Sequence, residues 1–476
     1  MKRYTSTIVT LRWHPVWVHN LAGPGMKITL SAEKFREASL LAVVTVAALC
    51  MAPVASGQAP ASPGEDYIVG FRAGTSKNER AAAVARAGAR LRFNYSIIDA
   101  VTVTVPNANA LAALQRDVSV TSITPDHRIY AIPSPDVSPA APPTARPGGG
   151  GGSTSEVVPE GVIRVGAPTA TSNGAGIGAV TVDTGIDLDH PDLAANIAAM
   201  KFDAFGGNCD DGNGHGTHVS GTIAAVDNTI DVIGVAPKAT LYCGRALDNS
   251  GSGNDSTLIY VLDKIYENHN LVSPNMRVVN MSLGRSKMSG DDGGPLHQAI
   301  QRLYGLNIVP VAAAGNDPYK EVKDMVPAGF SEVIAVASST AMDGTNSCSF
   351  FSGKIYKDTA SYFTTDGKLS ASNIGVTISA PGADKEDINK ACFLKSVGIL
   401  STKAGGGTTR MSGTSMAAPH VSGAVARILQ AGLATTVEGV RSHLRSTASQ
   451  KGTAPKHSPS SAYSYDVEQE GIAQAP

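Results

Sequence analysis

The run AVTVDTG at residues 179–185 decides the fold class. Its first four residues are small, apolar or β-branched, which indicates a strand buried on both faces, and an aspartate follows directly. Similar short runs occur at 240–242, 278–281, 308–312 and 333–336. Because helical stretches separate these runs, the pattern predicts an α/β domain, with a mostly parallel sheet covered by helices on both faces. We place this domain at residues 156–447.

A smaller domain precedes it at residues 65–130. Two amphipathic helical stretches there alternate with short β-branched runs in the order βαββαβ, which predicts a ferredoxin-like α+β fold. Residues 131–155 are rich in Pro, Ala and Ser and contain five consecutive glycines, so we interpret them as a flexible linker. The tail at residues 448–476 has no clear periodicity and is predicted to be irregular.

Residues 1–59 carry the signal for export. Lysines and an arginine precede the apolar run 40–51, and small residues follow it, as is typical of a secretory signal peptide. The run is shorter than the roughly 20 residues that a membrane span needs, so no stable membrane association is expected. The chain carries 39 Lys and Arg against 40 Asp and Glu, and this balance does not indicate nucleic acid as a partner. We therefore expect a secreted protein, and a monomer.

Four cysteines lie beyond the signal segment, at positions 209, 243, 348 and 392. In an exported chain an even number suggests two disulfides, for which three pairings are possible. We favour Cys209 with Cys243 and Cys348 with Cys392, because each closes the shorter loop. Free buried thiols are the alternative.

Three polar clusters stand out in the larger domain. Asp183 ends the first strand, His215 lies in NGHGTHVSGT at 213–222, and Ser415 lies in GTSMAAPHVSG at 413–423. The serine follows a glycine turn at a helix start, where backbone N–H groups and the helix dipole favour a developing negative charge. A serine needs a nearby base to become a nucleophile, and a histidine that serves as this base needs a carboxylate to orient it.

In this order, the three motifs resemble those of the subtilisin-like serine proteases, over residues 156–430. The resemblance implies a serine endopeptidase that hydrolyses protein and peptide substrates through an acyl-enzyme, with Asp183, His215 and Ser415 as its triad. It also implies that Asn316, in AAGN at 313–316, donates to the oxyanion.

The same resemblance implies where a peptide binds. Ser282, Leu283 and Gly284 match one edge of the substrate groove, and the segment Gly251, Ser252 and Gly253 matches the other, so that a peptide would add as an extended strand. Residues 325–328 match the floor of the main specificity pocket, where Met325 stands in place of a smaller residue and is expected to narrow it.

A structural calcium ion is also implied, because the segment VDNTIDV at 226–232 resembles the calcium loop of the family. The ligands carried over are oxygen atoms, which calcium prefers. They belong to Asp192, Asn228 and the carbonyls of Val226, Ile230 and Val232, and Glu156 occupies the place of an N-terminal amide ligand. The alternative is that this loop is an ordinary turn.

The small domain resembles the inhibitory propeptide of these enzymes. The resemblance implies a zymogen whose own propeptide caps the active site as an intramolecular inhibitor and is released by cleavage near Tyr130 or within the linker. Two alternatives to a peptidase stay open from sequence. One is a catalytically silent relative that binds peptides in the same groove, and the other is an esterase, although its GxSxG motif is missing.

Overall fold

The computed structural model describes residues 64–132, 155–449 and 470–476. The predicted leader and signal peptide, nearly all of the linker and most of the tail lie outside these ranges. In the part of the chain that is described, no helix is both long and apolar enough to cross a membrane.

The N-terminal part forms a four-stranded antiparallel sheet with two helices, in the strand order β2-β3-β1-β4. Its core contains Val69, Val101 and Leu114, all fully buried. The predicted α+β fold is confirmed. The elements are β1 (Glu65–Phe71), α1 (Lys77–Arg86), β2 (Arg90–Asn94), β3 (Ala100–Val105), α2 (Ala108–Arg116) and β4 (Val120–Pro125), followed by β5 (Arg128–Ala131).

The larger part contains the other elements. These are α3 (Glu160–Arg164), β6 (Gly178–Asp183), β7 (Ile197–Asp203), α4 (His215–Ala224), β8 (Thr240–Arg245), β9 (Ser252–Asn254), α5 (Asp255–Asn268), β10 (Met276–Met281), β11 (Leu283–Ser286), α6 (Pro295–Gly305), β12 (Val309–Ala313), β13 (Met325–Val326), β14 (Ile334–Thr340), β15 (Ile378–Ala383), β16 (Lys385–Ile388), β17 (Leu394–Val397), β18 (Ile399–Thr402), β19 (Thr408–Met411), α7 (Thr414–Gln430) and α8 (Val437–Thr447).

Seven strands form the central sheet, in the order β15-β14-β12-β10-β6-β8-β7, and all neighbours are parallel. The sheet has a core on each face. Successive residues of a strand pack into different cores, because their side chains point alternately to the two faces. Val180 packs into the core that α5 and α6 cover, while Ala179 packs into the core that α4 and α7 cover. Helices on both faces confirm the predicted α/β fold.

A second small sheet, β13-β11-β5-β9, connects the two parts of the chain. Strand β5, which follows the N-terminal sheet, lies antiparallel between β9 and β11 of the larger part. This sheet brings the end of the N-terminal part to the carboxyl edge of the central sheet, where Asp183 ends β6.

Both predicted disulfides are confirmed. Cys209 is bonded to Cys243, and Cys348 is bonded to Cys392. The last residues of the chain are also ordered, which the composition of the tail did not indicate. Ile472 is fully buried and bridges Ser379 and Ser449, so residues 470–476 pack on the edge of the central sheet.

Candidate active site

Asp183 and His215 form a buried hydrogen-bonded pair. Asp183 is the last residue of β6, and His215 is the first residue of α4. The His215 Nδ1 atom lies 2.8 Å from Asp183 Oδ1, which also accepts a hydrogen bond from the Thr184 N–H at 2.7 Å. Gly214, directly before the helix, has φ of 106°, a conformation that a side chain would strain. The glycine turn therefore lets α4 begin at the imidazole.

The pKa of His215 is raised above its usual value. Burial alone would lower it, but the charge of Asp183 and its hydrogen bond favour the protonated imidazole more strongly, and the charge of Asp211 adds to them. The imidazole is therefore a better base than an isolated histidine.

Asp211 was not predicted from sequence, yet it organises the start of α4. One carboxylate oxygen accepts hydrogen bonds from Thr184 Oγ1 and from the N–H groups of Asn213 and Gly214, each at 2.9 Å. The other accepts from the N–H and hydroxyl of Thr217, at 2.9 and 2.6 Å. This one side chain thus ties the end of β6 to the first turn of α4. Its only sequence signal is its position four residues before His215.

Ser415 is the second residue of α7, whose start is also set by a glycine, Gly413 with φ of 145°. Pro419 has no N–H to donate to the carbonyl of Ser415, four residues earlier in the helix. The hydroxyl of Ser282 donates to that carbonyl instead, at 2.8 Å. Ser282 therefore fixes the backbone of residues 413–415, which we call the serine turn.

The Ser415 hydroxyl contacts the chain's own N-terminal part. Its Oγ is 3.1 Å from the carbonyl oxygen of Ile132 and 3.1 Å from that of Ser282. His215 Nε2 has no hydrogen-bond partner among the described residues. The structure thus brings Asp183 and His215 into contact, and it places a peptide carbonyl against Ser415.

Asn316 lies beside the serine turn, three residues after β12 ends. Its Oδ1 accepts from both the N–H and the hydroxyl of Thr414, each at 2.9 Å. A side chain added at Gly413 would put a Cβ 2.9 Å from Asn316 Nδ2. The amide nitrogen therefore lies directly against the turn that carries Ser415.

The two predicted edges of the substrate groove both pair with β5. On one side, Ser252 and Gly253 pair with Tyr130 and Ile129, and the carbonyl of Gly251 accepts from the Ala131 N–H at 2.9 Å. On the other side, Leu283 pairs with Ala131 and Gly284 with Tyr130, while the carbonyl of Ser282 accepts from the Ile132 N–H at 3.4 Å. All six predicted groove residues thus meet one extended segment.

The predicted pocket floor lies next to this groove. Met325 and Val326 form β13, which pairs with the same strand β11 that holds β5. The methyl group of Met325 lies 3.1 Å from where a Cβ on Gly315 would be. Met325 therefore packs beside the segment that carries Asn316.

The loop at 226–232 surrounds Asp192. The carboxylate of Asp192 accepts from Asn228 Nδ2 at 2.8 Å and from the Val232 N–H at 3.1 Å, and the Val226 N–H donates to its main-chain carbonyl. Glu156 accepts from the Asn228 N–H at 2.7 Å. Burial raises the pKa of Asp192 to about 7, and the charges of Asp231 and Glu156 add to the shift.

The chain is similar to known proteins over most of its length. The model of the subtilase family matches residues 175–465. Subtilisin E from Bacillus subtilis (strain 168) is 30% identical over 425 residues, which cover 87% of this chain and 93% of the relative. Subtilisin DY from Bacillus licheniformis and subtilisin Savinase from Lederbergia lenta are each 34% identical, over 63% of this chain and 94% of the relative.

Because Asp211 contributes charge to the environment of His215, Asp211→Asn is expected to lower the pKa of His215. The imidazole would then lose its proton at a lower pH. NMR titration of the His215 ring, assigned with a His215→Gln variant, measures the shift. Asp210→Asn is the matched control, because this substitution removes the same charge from an exposed side chain. An unchanged His215 titration in folded Asp211→Asn protein would contradict this electrostatic role.

Proposed function

Because the chain belongs to the subtilase family and is a serine endopeptidase of the subtilisin type, we propose that Ser415, His215 and Asp183 are its catalytic triad. The observation that carries this assignment is the 2.8 Å contact between His215 and Asp183, together with a peptide carbonyl 3.1 Å from Ser415 Oγ. The first contact joins the proposed base to its orienting carboxylate, and the second holds the proposed nucleophile against a peptide carbonyl.

In the proposed reaction, Ser415 Oγ attacks the substrate carbonyl carbon while His215 Nε2 takes the hydroxyl proton. His215 then gives this proton to the leaving amine, and the C–N bond breaks to leave an ester on Ser415. Water, activated by the same imidazole, hydrolyses the ester and frees the enzyme. Asp183 accepts the Nδ1–H throughout, which fixes the tautomer and stabilises the imidazolium.

We assign Asn316 as a donor to the oxyanion that forms during attack. Two hydrogen bonds from Thr414 hold its Oδ1, which leaves the amide nitrogen beside Gly413 at the serine turn. A donor fixed before the reaction stabilises the new charge without having to reorganise.

Peptide substrates are proposed to bind as β5 does, as an extended strand between β9 and β11. Main-chain hydrogen bonds to Gly251 and Ser282 would align the peptide, and they accept many sequences because they do not read side chains. The side chain of the substrate residue whose carbonyl lies against Ser415 would then face the main specificity pocket, which the Met325 side chain would narrow.

We further propose that the chain is made as a secreted zymogen, with residues 65–130 as its inhibitory propeptide domain and 156–447 as its catalytic domain. The support is that β5 fills both edges of the groove and that Ile132 follows it to Ser415. No substrate can reach a groove that this segment occupies. Self-cleavage near this position or within the linker would separate the two domains.

Ser415→Ala is expected to yield an uncut precursor, because the alanine cannot form an ester with the propeptide. Intact mass of the wild-type and variant proteins measures this, with Ser422→Ala as a control for losing a buried hydroxyl from the same helix. We expect processing in the wild type and the control. Mature-sized protein from Ser415→Ala without added protease would contradict self-processing.

We also propose that Asp192, Asn228 and Glu156, with carbonyls of Val226, Ile230 and Val232, hold a structural calcium ion. Asp192 fits this role, because a buried carboxylate with two neighbouring carboxylates is unfavourably charged without a cation. The amide of Asn228 would have to turn, since its Nδ2 faces Asp192 and its Oδ1 accepts from the N–H groups of Thr229 and Ile230. When bound, calcium would supply positive charge that pins the loop to Asp192. It has no part in the proposed chemistry.

Calcium is therefore expected to raise the melting temperature, and Asp192→Asn to abolish most of this effect. Saturation at 100 times the dissociation constant adds about 2.7 kcal/mol to the free energy of unfolding. Since the ion replaces a proton on a group with a pKa of about 7, stabilisation should be larger at pH 8 than at pH 6.

Calorimetry in excess calcium and in chelator measures the effect, in a Ser415→Ala background that prevents self-digestion. Asp227→Asn is the matched control, because Asp227 is an exposed carboxylate of the same loop. Equal calcium responses of the Asp192 and Asp227 variants would refute the site.

A further inference from the structure

A buried ionic cluster lies beside the substrate groove, outside the catalytic machinery. Arg285, on β11, forms hydrogen bonds to Asp255 at 3.1 and 2.7 Å and to Asp291 at 2.7 and 2.6 Å. The Asp291 carboxylate also accepts from the Met288 N–H at 2.6 Å. The three charged side chains are only 4–7% exposed. This geometry is rigid, because the guanidinium binds both carboxylates in bidentate fashion.

The cluster carries one positive and two negative charges, so it lacks one cation. Burial opposes ionisation of Asp291, but the hydrogen bonds from Arg285 and Met288 outweigh it and lower the pKa of Asp291. The Asp291 carboxylate therefore stays charged near neutral pH. A buried unbalanced charge is unfavourable, and a further cationic group nearby would relieve it.

Residues 127–132 of the chain occupy the groove, and we call them the groove segment. This segment places a side chain beside the ionic cluster. His127 Nδ1 lies 3.4 Å from Asp255 Oδ2, and atoms of His127, Asp255 and Asp291 all lie within 4.8 Å of one another. The main chain is fixed as well, since the Asp255 N–H donates to the His127 carbonyl at 2.9 Å. The next residue, Arg128, is exposed and does not share this environment. The imidazole thus faces the two carboxylates because of the register of the segment.

A metal ion would fit the same three ligands poorly. The guanidinium of Arg285 already occupies both oxygens of Asp255 and both oxygens of Asp291. A divalent cation would have to displace it or lie against its positive charge. A cationic side chain at the edge of the cluster adds charge without competing for those oxygens.

We propose that Asp255 and Asp291, held by Arg285, form a specificity subsite for a cationic side chain five residues before the residue whose carbonyl Ser415 attacks. The spacing is that of His127 and Ile132 in the groove segment. The proposal rests on the proposed function, since it assumes that substrates bind in the register of β5. The subsite makes the enzyme selective for peptides with Lys, Arg or protonated His five residues before the attacked carbonyl.

Matched peptides test this with the processed enzyme. The test peptide is Asp-Lys-Gln-Ile-Tyr-Ala-Ile with a chromogenic amide at its end, and the control is Asp-Gln-Lys-Ile-Tyr-Ala-Ile with the same amide. The two have equal charge and composition, and differ only in whether Lys occupies the position of His127 or of Arg128. We expect kcat/KM about fivefold higher for the test peptide at low salt, and a smaller ratio at about 1 M salt, where charges are screened.

The ratio should fall to about one in Asp291→Asn, which leaves the cluster without net charge. Thermal melting checks that this variant is folded, and the salt dependence of the wild-type ratio tests the charge effect if it is not. A ratio of one in the wild type at low salt would overturn the subsite. A ratio unchanged in folded Asp291→Asn would overturn its assignment to this cluster. Failure to cleave either peptide would instead count against the proposed function.

Discussion

The hydrogen bond between Asp183 and His215 is the constraint on which the site depends. Removing a carboxylate from water is costly, and the fold offsets this cost with the imidazole at 2.8 Å and the Thr184 N–H at 2.7 Å. These contacts require the end of β6 to lie directly beside the start of α4. The glycine before His215 and the five hydrogen bonds to Asp211 meet this requirement, so the local backbone and the chemistry are determined together.

The groove that we propose for substrates is also the structure that holds the N-terminal part. The same main-chain groups of β9 and β11 pair with β5, and the same serine hydroxyl meets the carbonyl of Ile132. A propeptide that binds in this way, as we propose, uses the hydrogen bonds intended for peptides. Its sheet is also held outside the groove, because Asp263 accepts from the N–H groups of Ser96 and Ile97, each at 2.6 Å. The side chains of the segment are therefore a guide to what the groove accepts, and His127 is the example that the ionic cluster explains.

Much of the fold could be predicted because its signals are local. Runs such as AVTV are buried on both faces and lie in a parallel sheet, and the two disulfides close the shorter loops. The three motifs also contained Asp183 and His215, which the fold brings into contact. Asp211 and Arg285 could not be predicted, because each acts through partners brought near by the fold. From sequence alone, an arginine buried between two aspartates cannot be distinguished from an arginine exposed to solvent. The packing of Ile472 escaped prediction for the same reason, since its partners lie up to 93 residues away (472 − 379).

The most direct test of the account is to identify the residue that a serine-reactive phosphonate modifies in the processed wild-type enzyme, by peptide mass mapping, while peptide hydrolysis is followed in the same sample. We predict a single adduct on Ser415, with hydrolysis falling in proportion to its formation, and no adduct in His215→Ala. An adduct on another residue that abolishes hydrolysis, or hydrolysis that persists when Ser415 is fully modified, would contradict the assignment of the triad.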